Sequence, residues 1–169
     1  MNGMASSRPV LTGDCETTAD PRVSFQLVLG SCVAACVWDP KVGVGGVNHF
    51  LLPYADACGG PNALKVGGMF LMERLIESLA ARGANLGRLQ ARIFGGANLI
   101  GSAVGQRNAE FATAFLRNRR IALLSADLGG RQARALRVWP AQGRVEVRQI
   151  EEPSQSPHAH LSVSASPAR

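Results

Sequence analysis

Three apolar runs follow one another with very little chain between them, and this constrains the fold more than any other feature of the sequence. They are Val23–Leu29, Val33–Trp38 and Val44–Leu52. Only Gly30-Ser31-Cys32 and the stretch from Asp39-Pro40 to Gly43 separate them. Short runs of apolar and β-branched residues, closed by Gly or Pro, read as successive buried strands. Gly43, Gly45 and Gly46 mark turns or close backbone approach.

The rest of the chain adds helices and further strands. Met69, Met72, Leu75, Ile76 and Leu79 repeat at helical spacing and predict a helix from about Asn62 to Arg82, with Gly83 as its C-terminal cap. On this reading the methionines are core. A second helix is expected from about Gly105 to Asn118. Strands are expected over Leu89–Phe94 and Ile121–Ala126, and a hairpin over Arg134–Trp139 and Arg144–Ile150. In its last strand Val145 and Val147 alternate with Glu146 and Arg148, so one face is wet. Seven strands and two helices in this order favour an α+β class over a repeating βαβ pattern.

Residues 1–21 and 151–169 are polar or Ser/Pro-rich without periodicity. They read as a mobile N-terminal arm and a disordered tail around a domain at 22–150. The opening residues lack the basic and apolar regions of a secretory signal, which predicts a cytoplasmic protein with reduced thiols. The net charge of +6 suits an acidic partner or a merely solvated basic face. An aromatic content of 5% is thin for a protein that stacks nucleic-acid bases. Arg117, Arg119, Arg120, Arg131, Arg134 and Arg137 are the candidates to meet an acidic surface.

The residues able to carry chemistry are few. Leu29-Gly30-Ser31-Cys32 permits a tight turn that aims backbone N–H groups at one point near the sulfur, the arrangement that holds an oxyanion. Free cysteines are more often core than nucleophiles. His49 is the only histidine expected inside the domain, because His158 and His160 fall in the tail. A hairpin near Asp39-Pro40 would bring it toward Cys32, and a Cys–His pair is the minimal activated nucleophile. A core histidine is the plainer reading. The competing site is zinc held by Cys32, Cys36, His49 and Cys58, although these form no compact second ligand pair.

Five ordered blocks carry a family likeness. They are Leu29-Gly-Ser-Cys-Val-Ala-Ala-Cys-Val-Trp-Asp-Pro40, Gly45-Gly-Val-Asn-His-Phe-Leu-Leu-Pro53, Phe94-Gly-Gly-Ala97, Gly105-Gln-Arg-Asn108 and Asp127-Leu-Gly-Gly130. In these the chain resembles the CheD chemoreceptor glutamine deamidases across nearly all of 22–150. The resemblance implies a layered sandwich of mixed β-sheets flanked by helices, like the cysteine-hydrolase fold of deamidating bacterial toxins. It implies hydrolysis of glutamine amides on methyl-accepting chemotaxis receptors, with Cys32 as nucleophile and His49 as its base and with no metal or organic cofactor. It also admits a CheC-type phosphatase as a partner. The chain departs from the family in one respect. A threonine usually stands five or six residues before the cysteine, and here those positions hold Leu27 and Gln26. The third role is then expected from Gln26 or another residue, with Ser31 in the oxyanion region. Without a third group, the alternative is a non-catalytic module that binds receptors or a phosphatase.

Overall fold

The computed structural model describes residues 6–52 and 67–151. Nine strands and two helices of three turns or more lie within them. In chain order they are β1 Ser7–Pro9, β2 Cys15–Thr18, β3 Ser24–Leu29, β4 Val33–Asp39, β5 Val44–Phe50, α1 Gly68–Ala81, β6 Gln90–Gly95, α2 Val104–Asn118, β7 Ala122–Leu128, β8 Ala133–Trp139 and β9 Arg144–Ile150. The class is the expected α+β sandwich.

The three apolar runs fold as strands, but they do not share one sheet. β3 belongs to a four-stranded sheet ordered β1-β3-β8-β9. β4 and β5 belong to a five-stranded sheet ordered β2-β5-β4-β6-β7. The turn at 30–32 therefore passes from one sheet to the other. β4 runs antiparallel to both β5 and β6 and is buried along its whole length. Its two faces serve two cores. Ala34, Cys36 and Trp38 meet Phe25, Leu27, Leu29, Leu136 and Val138 between the sheets. Val33, Ala35 and Val37 meet the helices on the other side, against Leu71, Met72, Leu75, Leu79 and Leu116. A strand covered on both faces reads as an unbroken apolar run for this reason.

Helix α1 buries Leu71, Met72, Leu75, Ile76 and Leu79 along one stripe. Met69, expected in that stripe, is 56% exposed in the first turn, so only Met72 of the two is core. Helix α2 turns Ala112, Phe115 and Leu116 inward, and Phe111 packs edge-on against Phe50 at 5.7 Å.

The N-terminal residues correct the expectation of a mobile arm. β1 pairs parallel with β3, β2 pairs antiparallel with β5, and Val10 is buried between the sheets. Both segments are short and polar because edge strands are held by backbone hydrogen bonds, which leave no apolar pattern. The domain thus includes residues that the sequence placed outside it. The expected start of α1 near Asn62, Cys58 and the tail beyond residue 151 lie outside the described residues.

Candidate active site

Both sheets end at one rim. The turns after β1, β3, β6 and β7 and the end of β5 gather there, and Cys32 sits on the β3–β4 turn, half-buried. Its position is fixed through the backbone. Gly96 N–H donates to Cys32 O at 2.8 Å, and Ala97 N–H donates to Gly30 O at 2.9 Å. Gly95 makes this approach possible: its φ is +108°, and a Cβ there would stand 2.1 Å from Cys32 O. Asn108 on α2, fully buried, closes the third side. Its Nδ2 donates to Ser31 O at 2.7 Å, and its Oδ1 accepts Leu52 N–H at 2.9 Å, so one side chain ties the cysteine turn to the end of β5. Among the described residues, neither the Ser31 nor the Cys32 N–H donates to a carbonyl.

His49 lies on β5 opposite Ala34, facing the inter-sheet gap and only 4% exposed. Its Nδ1 is 3.2 Å from Val10 O. A carbonyl only accepts, so Nδ1 carries the proton and Nε2 of the neutral ring is a bare acceptor. Burial lowers the His49 pKa below its ordinary 6.5, partly offset by the Val10 bond and by the Asp14 carboxylate. The ring is a neutral base near pH 7.

The group that joins the two is Thr12. Its hydroxyl oxygen stands 3.3 Å from His49 Nε2 and 3.9 Å from Cys32 Sγ. Thr12 belongs to the turn between β1 and β2, where the chain crosses from one sheet to the other. That turn is closed by Asp14 N–H to Leu11 O at 2.9 Å and by Leu11 N–H to the Asp14 carboxylate at 2.8 Å. It is also bonded to His49 itself: Gly13 N–H donates to His49 O at 2.7 Å, and His49 N–H donates to Asp14 O at 3.1 Å. The residue that supplies the imidazole therefore holds the turn that supplies the hydroxyl.

A family model described as CheD chemotactic sensory transduction matches residues 51–149. A protein of Caulobacter vibrioides named probable chemoreceptor glutamine deamidase CheD is 49% identical over 144 residues, covering 83% of this chain and 76% of its own length. One of the same name from Agrobacterium fabrum is 42% identical over 146 residues, covering 85% and 80%. The chain belongs to the CheD family. Among solved structures, a Bacillus licheniformis hypothetical protein YfiH superposes with a TM-score of 0.35 at 21% identity over 48% of this chain and 26% of its own, too partial to bear on fold or function.

Within this CheD chain the expected site residues separate. Cys32 and His49 meet the same hydroxyl. Gln26, expected as a third member, instead donates from Nε2 to Ser7 Oγ at 3.0 Å, and its own carbonyl accepts Val10 N–H at 2.9 Å. Thr12 stands where Gln26 was expected to act. Sequence reasoning missed it because residues 1–21 carry no periodicity. The available signal was Thr12-Gly13-Asp14, a turn-forming triplet with a side-chain hydroxyl. Ser31 contributes its carbonyl to Asn108, and among the described residues its N–H donates to no carbonyl.

Cys36 lies in the inter-sheet core, where burial pushes its thiol up to about 12, and burial pushes Cys15 up to about 11. Both stay protonated near neutral pH. Among the described residues no group of three or more His, Cys, Asp or Glu side chains is placed to hold a metal ion, and Cys58 of the expected zinc set lies outside them. Asp39 serves its own turn: it accepts Lys41 N–H and Asn85 N–H and pairs with Arg88 at 2.7 Å, and that guanidinium holds its carboxyl far below the usual range. Arg134 is not a surface cation. It is 4% exposed and donates to Gly95 O, Gly129 O and Asp127, bracing the two glycine turns beside Cys32. Arg119 pairs with Glu73. No described helix is long and apolar enough to cross a membrane.

Proposed function

We propose that this chain hydrolyses glutamine side-chain amides of chemoreceptors to glutamates, with Cys32 as nucleophile and His49 as general base. The observation that carries this reading is the Thr12 hydroxyl set between Cys32 Sγ and His49 Nε2. His49 Nε2 takes the Cys32 proton, and the Thr12 oxygen then accepts the imidazolium N–H while its own O–H donates to the thiolate. The thiolate attacks the amide carbon. The Cys32 and Ser31 N–H groups, which donate to no carbonyl among the described residues, are the donors assigned to the oxyanion that forms. His49 returns its proton to the amide nitrogen, ammonia leaves, and a thioester remains. His49 then deprotonates water, which attacks the thioester, and the product carboxylate leaves as the thiolate is released and reprotonated.

The product glutamate adds a negative charge to the receptor and is a carboxyl group that can be methylated, so the reaction would tune signalling. The non-catalytic binding module drew its support from a missing hydroxyl, and Thr12 supplies one from another segment. The test is incubation of the full chain with a chemoreceptor cytoplasmic fragment, followed by mass spectrometry. Replacing NH2 by OH raises the mass of a modified glutamine by about 1 Da per site. The gain is expected with the native chain and with Cys36→Ala, and is lost in Cys32→Ala. No gain with the native chain would overturn the reading.

A further inference from the structure

The four-stranded sheet carries a trough of about 1090 Å³ on its outer face. Both described helices pack on the other sheet, so among the described residues no helix covers this face. The trough follows the strand register. One wall is the row Gln26, Arg137, Glu146, the other is the row Val28, Ala135, Arg148, and the backbone of Leu27, Leu136 and Val147 forms the floor between them. It runs across β9, β8 and β3 and ends against the turn after β1, where Thr12 and His49 line it.

We infer that this trough seats the stretch of substrate protein flanking the glutamine, and that the stretch is acidic with an apolar side chain at its site-proximal end. The inference rests on the deamidase reading. Continuity with the site identifies the occupant: a chain lying in the trough ends at Thr12 and His49, and only the substrate must present a group there. The walls give its chemistry. Arg137 is held over Trp139 at 4.8 Å and bonds Ser24 Oγ at 3.2 Å, so it is poised rather than free. Arg148 forms no ion pair among the described residues. Glu146 is already paired with Arg144 at 3.5 Å, so the guanidinium groups of Arg137 and Arg148 favour an acidic occupant. Val28, 62% exposed, and Leu11, 67% exposed, offer an apolar contact close to the site. An extended or helical segment carrying carboxylates fits where a basic one is repelled.

Binding and turnover test this separately. Full-length Cys32→Ala protein, alone and with Arg148→Glu or Val28→Glu added, is titrated into a labelled chemoreceptor cytoplasmic fragment and followed by fluorescence anisotropy. Arg148→Glu and Val28→Glu are also assayed for deamidation in the native background. Each is expected to weaken binding and raise KM by about tenfold with kcat held, and the Arg148 effect shrinks at high salt. The rate of Cys32 alkylation by iodoacetamide, which reads site integrity without substrate, is expected to stay at the native value. If the native chain deamidates and both variants bind and turn over like it, the trough assignment is overturned and the deamidase reading stands. A shift in sedimentation coefficient of the chain alone on either substitution assigns the trough to a second copy and overturns it too. No deamidation by the native chain overturns both.

Discussion

Asn108→Ala removes two buried hydrogen bonds without touching a reacting atom. The side chain is fully buried and joins Ser31 O at 2.7 Å to Leu52 N–H at 2.9 Å. Each lost bond costs about 1 kcal/mol net, and more where the stranded group finds no water. The sum is about 2 kcal/mol, which for a domain of this size lowers Tm by about 4–8 °C. The larger effect falls on chemistry. Ser31 O is anchored by Asn108 and Cys32 O by Gly96, so losing one anchor lets the cysteine turn pivot about the other. A misplacement of about 1 Å costs on the order of a hundredfold in rate. Thermal unfolding followed by circular dichroism reads the first quantity, and deamidation of a receptor fragment reads the second. Asn108→Asp separates the two bonds: it keeps an acceptor for Leu52 N–H but sets a carboxylate against Ser31 O, and is expected to lose activity at least as far. A Tm within about 1 °C of native together with unchanged activity for Asn108→Ala would refute the anchoring argument.

Three further outcomes are expected. Thr12→Val removes a hydroxyl that serves charged groups, worth about 1.5–3 kcal/mol, and should lower kcat about ten- to hundredfold while Thr12→Ser retains most of it; a kcat within twofold for the valine variant defeats the bridging role. Because burial lowers the His49 pKa, the acidic limb of kcat/KM should fall below pH 6.5, and stability should decline as pH drops through 6.5, where the unfolded chain takes up the proton first; a limb at or above 6.5 contradicts this. Gly95→Ala forces a positive φ on alanine and a Cβ onto Cys32 O, and should destabilise the chain by about 2 kcal/mol or more, seen as a lower midpoint in urea.

The framework of the chain was legible because packing wrote it into the side chains. β3, β4 and β5 appear as apolar runs, α1 and α2 as helical periodicity, and β8–β9 as alternation, each within two residues of the observed ends except at the start of α1, observed at Gly68 against an expected Asn62. β1 and β2 were not legible, since their contribution is backbone hydrogen bonds along sheet edges and a Ser-Arg-Pro or Cys-Glu-Thr-Thr segment shows no periodicity. The site divides the same way. Cys32 and His49 stand in conspicuous local contexts, the first after Gly-Ser and the second inside an apolar strand. Thr12 has no context that sequence spacing can reach, because its nearness to them depends on which sheet each strand joins. Arg134 misled for a similar reason: its carbonyl partners at Gly95 and Gly129 are brought round by the β6–β7 pairing.

The turn at 10–14 bridges two sheets that share no hydrogen-bond ladder with each other. They are held in register chiefly by the side chains between them. A slip of one sheet past the other would part Val10, held to Gln26 of the four-stranded sheet, from the His49 ring on the other sheet, while leaving every ladder intact. The contact between Val10 O and the imidazole is thus a gauge of how well the inter-sheet layer is filled. Trimming Phe94 or Leu136, far along the chain from Cys32, should be felt first as lost turnover and only later as a lost fold.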